Sequence, residues 1–271
     1  RPPRSTLFPY TTLFRSPTNV AYDALTPGAP GIPALAAANG WQHHPLVTAQ
    51  PLPGVVFRDA AGRSRFTQRA GDVVRLPGSA GLEVGNSAYT YSVQMNQMSA
   101  EWGYAAVRLP RATPGLVVET RSARAVRPLP ALPGLAPRSV SAQPERAALH
   151  VAPENAEWAQ AVVTAEIVDL LDQDGLPLDL EIAEGWLFLY RPGRLSVPDP
   201  LVWRRVFGIL DALDVSLSAA AGSLPGPGPF AALPMREQVA RTTRRATATY
   251  FAVVGGLFVV LAGGAYLLFG R

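Results

Sequence analysis

The spacing of hydrophobic residues divides the chain into stretches of different character. Between residues 54 and 127, short apolar runs alternate with polar residues and end at Gly, Pro or Asp, which is typical of a β-meander. We expect the runs at 102–109 and 115–120 to form a hairpin that turns between Pro110 and Pro114. The predicted strands are VVF at 55–57, FTQRA at 66–70, DVVRL at 72–76, LEVGN at 82–86, AYTYSVQM at 88–95, WGYAAVRL at 102–109 and GLVVET at 115–120.

A short helix is predicted upstream of these strands, at residues 33–39. Pro33 suits the first turn of a helix and Gly40 suits its end. Trp41 follows directly and is expected to pack against the next strands.

The second half mixes strand and helix patterns. ALHVA at 148–152 and AVV at 161–163 predict strands around a loop at 153–160, after which Thr164 would cap a short helix. The alternative is one amphipathic helix over residues 155–173.

A hairpin and a long helix are predicted next. Strands at 178–182 and 186–190 flank a tight turn at 183–185. Asp199 is a typical N-cap residue and Pro200 a typical first helical residue. The face expected to be buried contains Trp203, Phe207, Leu210, Leu213 and Leu217, which recur at helical spacing.

The twenty residues at 250–269 carry no charge and would span about 30 Å as a helix, the thickness of a bilayer core. They predict a single-pass transmembrane helix in the cell membrane. Arginines are concentrated on its N-terminal side, and the Arg-rich side of a membrane helix usually stays cytoplasmic, so the body is expected in the cytoplasm. The flanking arginines are Arg236, Arg241, Arg244 and Arg245 before the helix and Arg271 after it.

Small residues line one face of this predicted helix. Ala248, Ala252, Gly256 and Gly264 recur at intervals of four or eight residues. Such a face allows two helices to approach closely and predicts a homodimer contact, although Gly is also common in helices that span the membrane alone.

Residues 1–16 do not contribute to the predicted fold. The run STLFPYTTLFRS at 5–16 resembles the translation of a widely used short-read sequencing adapter rather than natural protein sequence. We therefore expect that the natural N-terminus was lost, together with any signal peptide or first membrane span.

Charge and composition exclude several kinds of site. The formal net charge of +4 comes from the arginines of residues 1–16 and of the membrane flank, because residues 17–235 carry 16 Arg against 19 Asp and Glu, a net charge of −3. A nucleic-acid-binding surface is therefore not expected. The chain has no Cys, which excludes disulfides and zinc–cysteine sites, and no Lys, which excludes a P-loop or Schiff-base lysine.

The three histidines predict no metal site and no hydrolase triad. His43 and His44 are adjacent, so an extended chain would point them to opposite faces, and His150 is predicted inside a strand. No cofactor-binding motif is recognised in the sequence.

The best candidate for chemistry is a group of carboxylates around the predicted hairpin. Asp179 and Glu181 share one strand face and Glu184 lies in the turn, so the first two could act as an acid–base pair. The interpretation we favour is a solvated strand face opposite the apolar residues Leu178, Leu180 and Ile182.

Six segments carry a resemblance to known sequences: LAAANGW, EWGYAAVRLPRATPGLVVET, ALHVAP, VVTAEIVDLLD, LDLEIAEGWLFLYRPG and DPLVWRRVFGILDAL. In this order, and followed by an apolar C-terminal run, they resemble a family of uncharacterised actinobacterial membrane proteins with a C-terminal transmembrane helix. The resemblance covers roughly residues 35–269 and departs at Ala165, where the family has Pro. It implies a shared fold and a membrane location but no mechanism.

Together the patterns predict an α+β protein: a mostly antiparallel sheet body with a few helices, plus one C-terminal transmembrane helix. The predicted segments are a Pro/Gly-rich lead-in at 17–31, a β-rich subdomain at 32–127, a Pro-rich linker at 128–146, an α+β subdomain at 147–221, a Pro/Gly spacer at 222–235 and the membrane helix at 250–269.

The function we expect is that of a membrane-anchored interaction or scaffold module. The alternatives are a membrane-proximal enzyme that uses the carboxylates at 179–184, or a lipid or small-ligand binding domain. A buried pocket lined by Asp179 or Glu181 would favour the enzyme. An apolar pocket without carboxylates would favour ligand binding, and a filled core with an exposed apolar patch would favour a protein partner.

Overall fold

The structure is a computed structural model. It describes residues 17, 19–25, 31–48, 52–58, 69–78, 81–93, 96–111, 113–130, 137–138 and 143–223. The predicted membrane helix at 250–269, the adapter-like residues and most of the 222–235 spacer lie outside these residues. The described part confirms an α+β fold with a mostly antiparallel sheet and a few helices.

One sheet contains the strands of both halves of the chain. Its order is β1-β2-β3-β4-β9-β8-β5-β7-β6, and all neighbouring strands are antiparallel. The strands are β1 (Gln42–Thr48), β2 (Arg69–Arg75), β3 (Glu83–Val93), β4 (Asn96–Arg108), β5 (Leu116–Thr120), β6 (Pro137–Arg138), β7 (Ala147–Val151), β8 (Asp179–Ala183) and β9 (Trp186–Pro192).

In the part of the chain that the structure describes, five α-helices and four short 3-10 helices accompany the sheet. No helix among the described residues is long and apolar enough to cross a membrane. The α-helices are α1 (Ile32–Ala38), α2 (Arg121–Val126), α3 (Ala156–Val162), α4 (Ala165–Leu171) and α5 (Pro200–Ala219), and the 3-10 helices are Tyr22–Leu25, Val55–Phe57, Pro153–Asn155 and Ala220–Ser223.

The predicted helix starts are confirmed where a side chain caps the first turn. The Thr164 hydroxyl accepts a hydrogen bond from the Ile167 N–H at 3.3 Å and begins α4. The Asp199 carboxylate accepts one from the Leu201 N–H at 2.9 Å and begins α5. Caps depend only on neighbouring residues, so the sequence reveals them directly.

Trp41, which follows α1, packs against α5. Its ring lies 5.9 Å from that of Trp203 and 6.0 Å from that of Phe207, both on α5. The apolar face of α5 therefore reaches over the end of α1.

Two predicted strands are helical in the structure. Residues 55–57 form a 3-10 helix, and residues 161–163 belong to the end of α3 and its C-cap. In α3, the buried residues Trp158, Ala159 and Val162 lie on one helical face, and this burial outweighs the strand preference of the valines. The alternative of one long helix is also wrong, because α3 ends before Thr164 caps α4.

Four predicted strand runs merge into two longer strands. The run at 82–86 and most of the run at 88–95 form the single strand β3, and the runs at 66–70 and 72–76 meet in β2, as far as residues 69–75 are described. Asp72 interrupts β2 with a positive φ of 49°, and the register with β3 shifts between Gly71 and Val74. A bulge thus stands where the sequence predicted a break between two strands.

The predicted hairpin between residues 102–109 and 115–120 is wrong. β4 pairs with β9, and β5 pairs with β8 and β7, so the β8–β9 hairpin lies between the two strands. The backbone N–H of Leu109, just after β4, donates to the Gly185 carbonyl in the β8–β9 turn at 2.8 Å. The short loop after β4 therefore passes over the end of the β8–β9 hairpin. It leads to β5 on the far side of that hairpin and not to a position directly beside β4.

Both faces of the sheet centre are covered. Residues of α1, α3, α4 and α5 form one core with the first face. Residues 52–57, Leu129 and aromatic residues of β4 and β9 form a second core on the opposite face. Strand β8 lies in the middle of the sheet, so both sets of its alternating side chains are shielded from water.

The loop from β9 to α5 is fixed against β3 and β4. The Asn86 side chain accepts from the N–H groups of Leu195 and Ser196 at 2.8 and 3.0 Å and donates to the Ser196 carbonyl at 2.9 Å. Beneath this loop, a Cβ on Gly103 would lie 2.2 Å from the Leu195 nitrogen. The loop can therefore contact β4 only where that strand has no side chain.

Candidate functional site

The carboxylates Asp179 and Glu181 lie inside the protein. Both side chains belong to residues with 0% exposure, so the interpretation of a solvated strand face is wrong. Alternation along β8 correctly places them on one face, but that face carries the second core instead of water. Glu184 lies apart from them in the β8–β9 turn, where its carboxylate is 3.9 Å from the Arg58 guanidinium.

Glu181 is held by two donors on the same oxygen. Its Oε2 accepts a hydrogen bond from the Tyr190 hydroxyl at 2.6 Å and another from the Val55 N–H at 2.8 Å. Its Oε1 is buried and has no hydrogen-bond partner in the described part of the chain. Burial raises the pKa of Glu181 to about 7, although both hydrogen bonds act to lower it.

Residues 52–58 cover this carboxyl, and we call them the cover segment. The 3-10 helix Val55–Phe57 begins after Gly54 and directs the Val55 N–H at Glu181. A Cβ on Gly54 would lie 1.9 Å from the Tyr190 hydroxyl and 3.1 Å from Glu181 Oε2. The backbone can approach the pair this closely only because Gly54 has no side chain.

An aromatic cluster anchors the cover segment. Phe57 is fully buried, and its ring meets that of Tyr104 edge-on at 4.9 Å and that of Phe188 at 5.9 Å. The Phe188 and Tyr190 rings are stacked at 5.5 Å. Burial, followed by the neighbouring Glu181 carboxylate, raises the pKa of Tyr190 well above its ordinary value, so the hydroxyl remains a donor.

Asp179 forms the second part of the buried site. Its Oδ1 accepts from the Thr120 N–H at 2.8 Å and from the Thr120 hydroxyl at 3.3 Å, whereas Oδ2 is buried without a partner among the described residues. Burial raises the pKa of Asp179 to about 8, and the nearby charge of Glu119 acts in the same direction. This carboxyl is therefore largely protonated at neutral pH.

Glu119 on β5 pairs with His150 on β7. The His150 Nε2 lies 2.9 Å from Glu119 Oε2, and this hydrogen bond is the main reason why the pKa of Glu119 is lowered. His150 lies inside a strand, as the sequence predicted. We call Glu119, Asp179 and Glu181 the acidic row, because they lie on adjacent strands β5 and β8 on the second face of the sheet.

The acidic row can bind and release protons near neutral pH. Two of its carboxyls have pKa values near neutrality, in the range of general acids and bases. Acid–base catalysis also requires contact with a substrate. The described residues seal both carboxyls from solvent, so neither can meet a substrate in this conformation.

The two N-terminal histidines lie on the edge strand β1. The His43 Nε2 is 3.4 Å from Asp72 Oδ1, and the His44 Nε2 is buried without a partner among the described residues. Within the same part of the chain, no three side chains of His, Cys, Asp or Glu are grouped as a metal site requires.

A shallow cleft lies at the C-terminal end of α5, away from the acidic row. Its cavity volume is about 20 Å³, which is room for about one water molecule. The lining is mostly apolar and contains no carboxylate: Leu109, Pro110, Arg111, Thr113, Trp158, Leu217 and Ala221.

Sequence reasoning missed the groups that hold the carboxyls. Gly54, Val55 and Thr120 were assigned only to strands or to their ends, and no local pattern connects them with β8. The Val55 donor is 126 residues from Glu181 along the chain. Only the alternation of β9, which puts Tyr190 on a common face with Phe188, carried a usable signal.

Comparison with known proteins gives no further assignment: no protein-family model, no curated protein and no solved structure matches this chain.

Proposed function

We propose that the protein is a membrane-anchored interaction module that binds an extended segment of a partner protein along β1. The observation that carries the proposal is the exposure of β1 at the edge of the sheet. Within the described residues, β1 pairs with β2 on one side only, and Leu46 is 57% exposed. An open strand edge offers backbone donors and acceptors to an added strand.

The composition of β1 supports this use of the edge. Natural proteins usually protect edge strands with charged side chains, but QHHPLVT contains no Asp, Glu, Lys or Arg. Pro45 is the one protective residue, since it removes a single backbone donor from the middle of the strand. The opposite edge is formed by β6, of which two residues are described, so β1 offers the longer edge among the described residues.

The membrane attachment rests on the sequence. The uncharged run at 250–269, its flanking arginines and the actinobacterial resemblance support a single-pass anchor with the body in the cytoplasm, and each remains a prediction. A tether would hold the β1 edge near membrane-associated partners and raise their effective concentration.

Site-specific photocrosslinking in membranes tests the proposal. A benzophenone amino acid replaces Leu46 in the full chain, and the matched control places it at Val215, which is 69% exposed on α5. We expect a discrete adduct from position 46 and not from position 215. Introducing Leu46→Lys into a chain that carries the probe at the neighbouring Thr48 should reduce the adduct, because an edge lysine opposes strand addition.

The adduct also distinguishes the occupants. A partner of different mass supports the proposal, whereas an adduct of two copies of this chain would replace the partner by a homodimer. Equal labelling at positions 46 and 215, or none at either position in membranes, would refute the role of the edge.

An enzyme is the second candidate, favoured by the near-neutral pKa values of Asp179 and Glu181. It requires that these carboxyls reach solvent in the folded protein. A water-soluble carbodiimide should modify both faster than the protein unfolds if they serve catalysis. Modification only at the unfolding rate would remove this candidate.

A further inference from the structure

The cover segment is attached to the sheet through the carboxyl group of Glu181, one oxygen of which has no hydrogen-bond partner among the described residues. The Val55 N–H and the Tyr190 hydroxyl both donate to Glu181 Oε2, and Oε1 has no partner among the described residues. A neutral acid in this position leaves one O–H unsatisfied. An ionised carboxylate leaves a charged oxygen without a donor in an apolar core, which costs considerably more free energy.

Opening of the cover segment would relieve that penalty. Residues Gly54 and Val55 lie directly against the Glu181–Tyr190 pair, so their departure would admit water to Oε1. The closed arrangement therefore favours the protonated carboxyl and the open arrangement favours the ionised one. This preference links the closed state to proton binding.

The charges around Glu181 do not cancel the preference of the closed arrangement for the protonated carboxyl. From the cover segment Arg58 favours the ionised form, and from the β8–β9 turn Glu184 opposes it. From β9 the Tyr190 hydroxyl donates a hydrogen bond that favours ionisation, and burial outweighs these contributions. Asp179 precedes Glu181 on β8, and its bonds go to Thr120 instead of the cover segment.

We propose that Glu181 is a pH-dependent latch for the cover segment, which stays closed over the sheet while this carboxyl is protonated and opens as it ionises. The opening exposes Val55, Val56 and Phe57, together with the aromatic surface of Tyr104 and Phe188 beneath them.

A single introduced thiol measures the opening, since the chain contains no cysteine. In the full chain, Val56→Cys places the thiol in the cover segment and Val168→Cys places it in α4 on the other face; both native side chains are fully buried. Maleimide labelling rates are divided by those of the same variant in denaturant at each pH. Between pH 5 and pH 7 we expect the corrected rate at position 56 to rise up to about a hundredfold, at most tenfold per pH unit.

Two substitutions identify the responsible group. Glu181→Gln mimics the protonated acid and should remove the rise at position 56, whereas Glu184→Gln in the adjacent turn should retain it. Should Glu181→Gln fail to fold, Tyr190→Phe provides the second test. It removes a donor that favours the ionised form, so the rise should shift to higher pH.

The reference position in α4 separates local from global opening. A corrected rate at position 168 that stays low supports the latch. Equal corrected rates at positions 56 and 168 across this pH range would mean that position 56 opens only by global unfolding and would overturn the latch, as would an unchanged pH dependence in Glu181→Gln.

Discussion

Replacing Gly54 with alanine tests whether the cover segment can pack against Tyr190 only when residue 54 has no side chain. The φ of Gly54 is −66°, which any residue can adopt, so space is the only obstacle. The added Cβ would lie 1.9 Å from the Tyr190 hydroxyl, and ordinary contact would require a displacement of about 1.5 Å. Tyr190 cannot yield easily because it is fully buried and stacked on Phe188.

The expected cost has two parts. Forcing a methyl group into a packed core destabilises proteins by about 1–3 kcal/mol. Displacing the cover segment also breaks the hydrogen bond from the Val55 N–H to Glu181 and leaves buried polar groups unpaired, which costs about 1–3 kcal/mol. We therefore expect Gly54→Ala to lower the free energy of unfolding by about 2–6 kcal/mol.

Urea unfolding of the full chain in detergent, followed by tryptophan fluorescence, measures the effect. The matched control is Gly208→Ala, because Gly208 is exposed on α5 and an added Cβ there meets nothing within 4 Å. Alanine in a helix interior should stabilise the protein by about 0.5–1 kcal/mol. The two identical substitutions are thus expected to have opposite signs.

A double-mutant cycle with Tyr190→Phe locates the cause. Without the hydroxyl, the methyl group of Gly54→Ala loses its closest obstacle, so the alanine should cost less in the Phe background than in the wild type. An unchanged midpoint for Gly54→Ala alone, or equal costs in both backgrounds, would refute the close contact.

Three further predictions address other parts of the fold. The folded pKa of Asp179 of about 8 exceeds the unfolded value, so its contribution to stability is present below about pH 4 and lost as the pH rises toward 8. Asp179→Asn should therefore flatten the fall in the free energy of unfolding between pH 5 and pH 8, measured by urea unfolding at each pH; this group contributes at most about 4 kcal/mol to that fall. Thr164→Ala should cost about 1 kcal/mol by removing the acceptor for the Ile167 N–H, and Thr164→Ser should restore most of it in the same unfolding assay. Gly103→Ala should cost about 3 kcal/mol or more, because the Leu195 backbone occupies the position of the new methyl group; thermal unfolding at the wild-type temperature would contradict this.

Local features of the fold were predictable from the sequence. Thr164 and Asp199 cap helices through hydrogen bonds to residues two or three positions away, and no distant residue is needed to form them. The tight turn between β8 and β9 is also local, since Glu184 and Gly185 both adopt positive φ values there. Patterns that depend on neighbours in sequence therefore carried over into the structure.

The neighbours of each strand were not predictable in the same way. The apolar runs that end at Leu109 and begin at Leu116 are close in sequence and suggested a hairpin, but the slot beside β4 is taken by β9. Hydrophobic spacing shows that a segment forms a strand and says nothing about competition for its edges.

The candidate site was predictable only in part, because its cover segment is distant from β8 in the sequence. Alternation correctly placed Asp179 and Glu181 on one face, but it could not show that residues 52–58 cover that face. A strand whose two faces are both buried has the same alternating sequence pattern as a strand with one solvent-exposed face, if one of the buried faces contains acidic residues. The decisive contact joins Val55 to Glu181, which lie 126 residues apart along the chain.

The position of the β8–β9 hairpin has a consequence for synthesis of the chain on the ribosome. Strands β1–β4 and β5–β7 are translated first, and the gap between β4 and β5 is filled only by residues 179–192. Until those residues emerge, the nascent chain presents two unpaired strand edges from the middle of the future sheet. Such edges promote association between chains, so polypeptides that stop before residue 179 should aggregate, and holdase chaperones should bind preferentially during this interval.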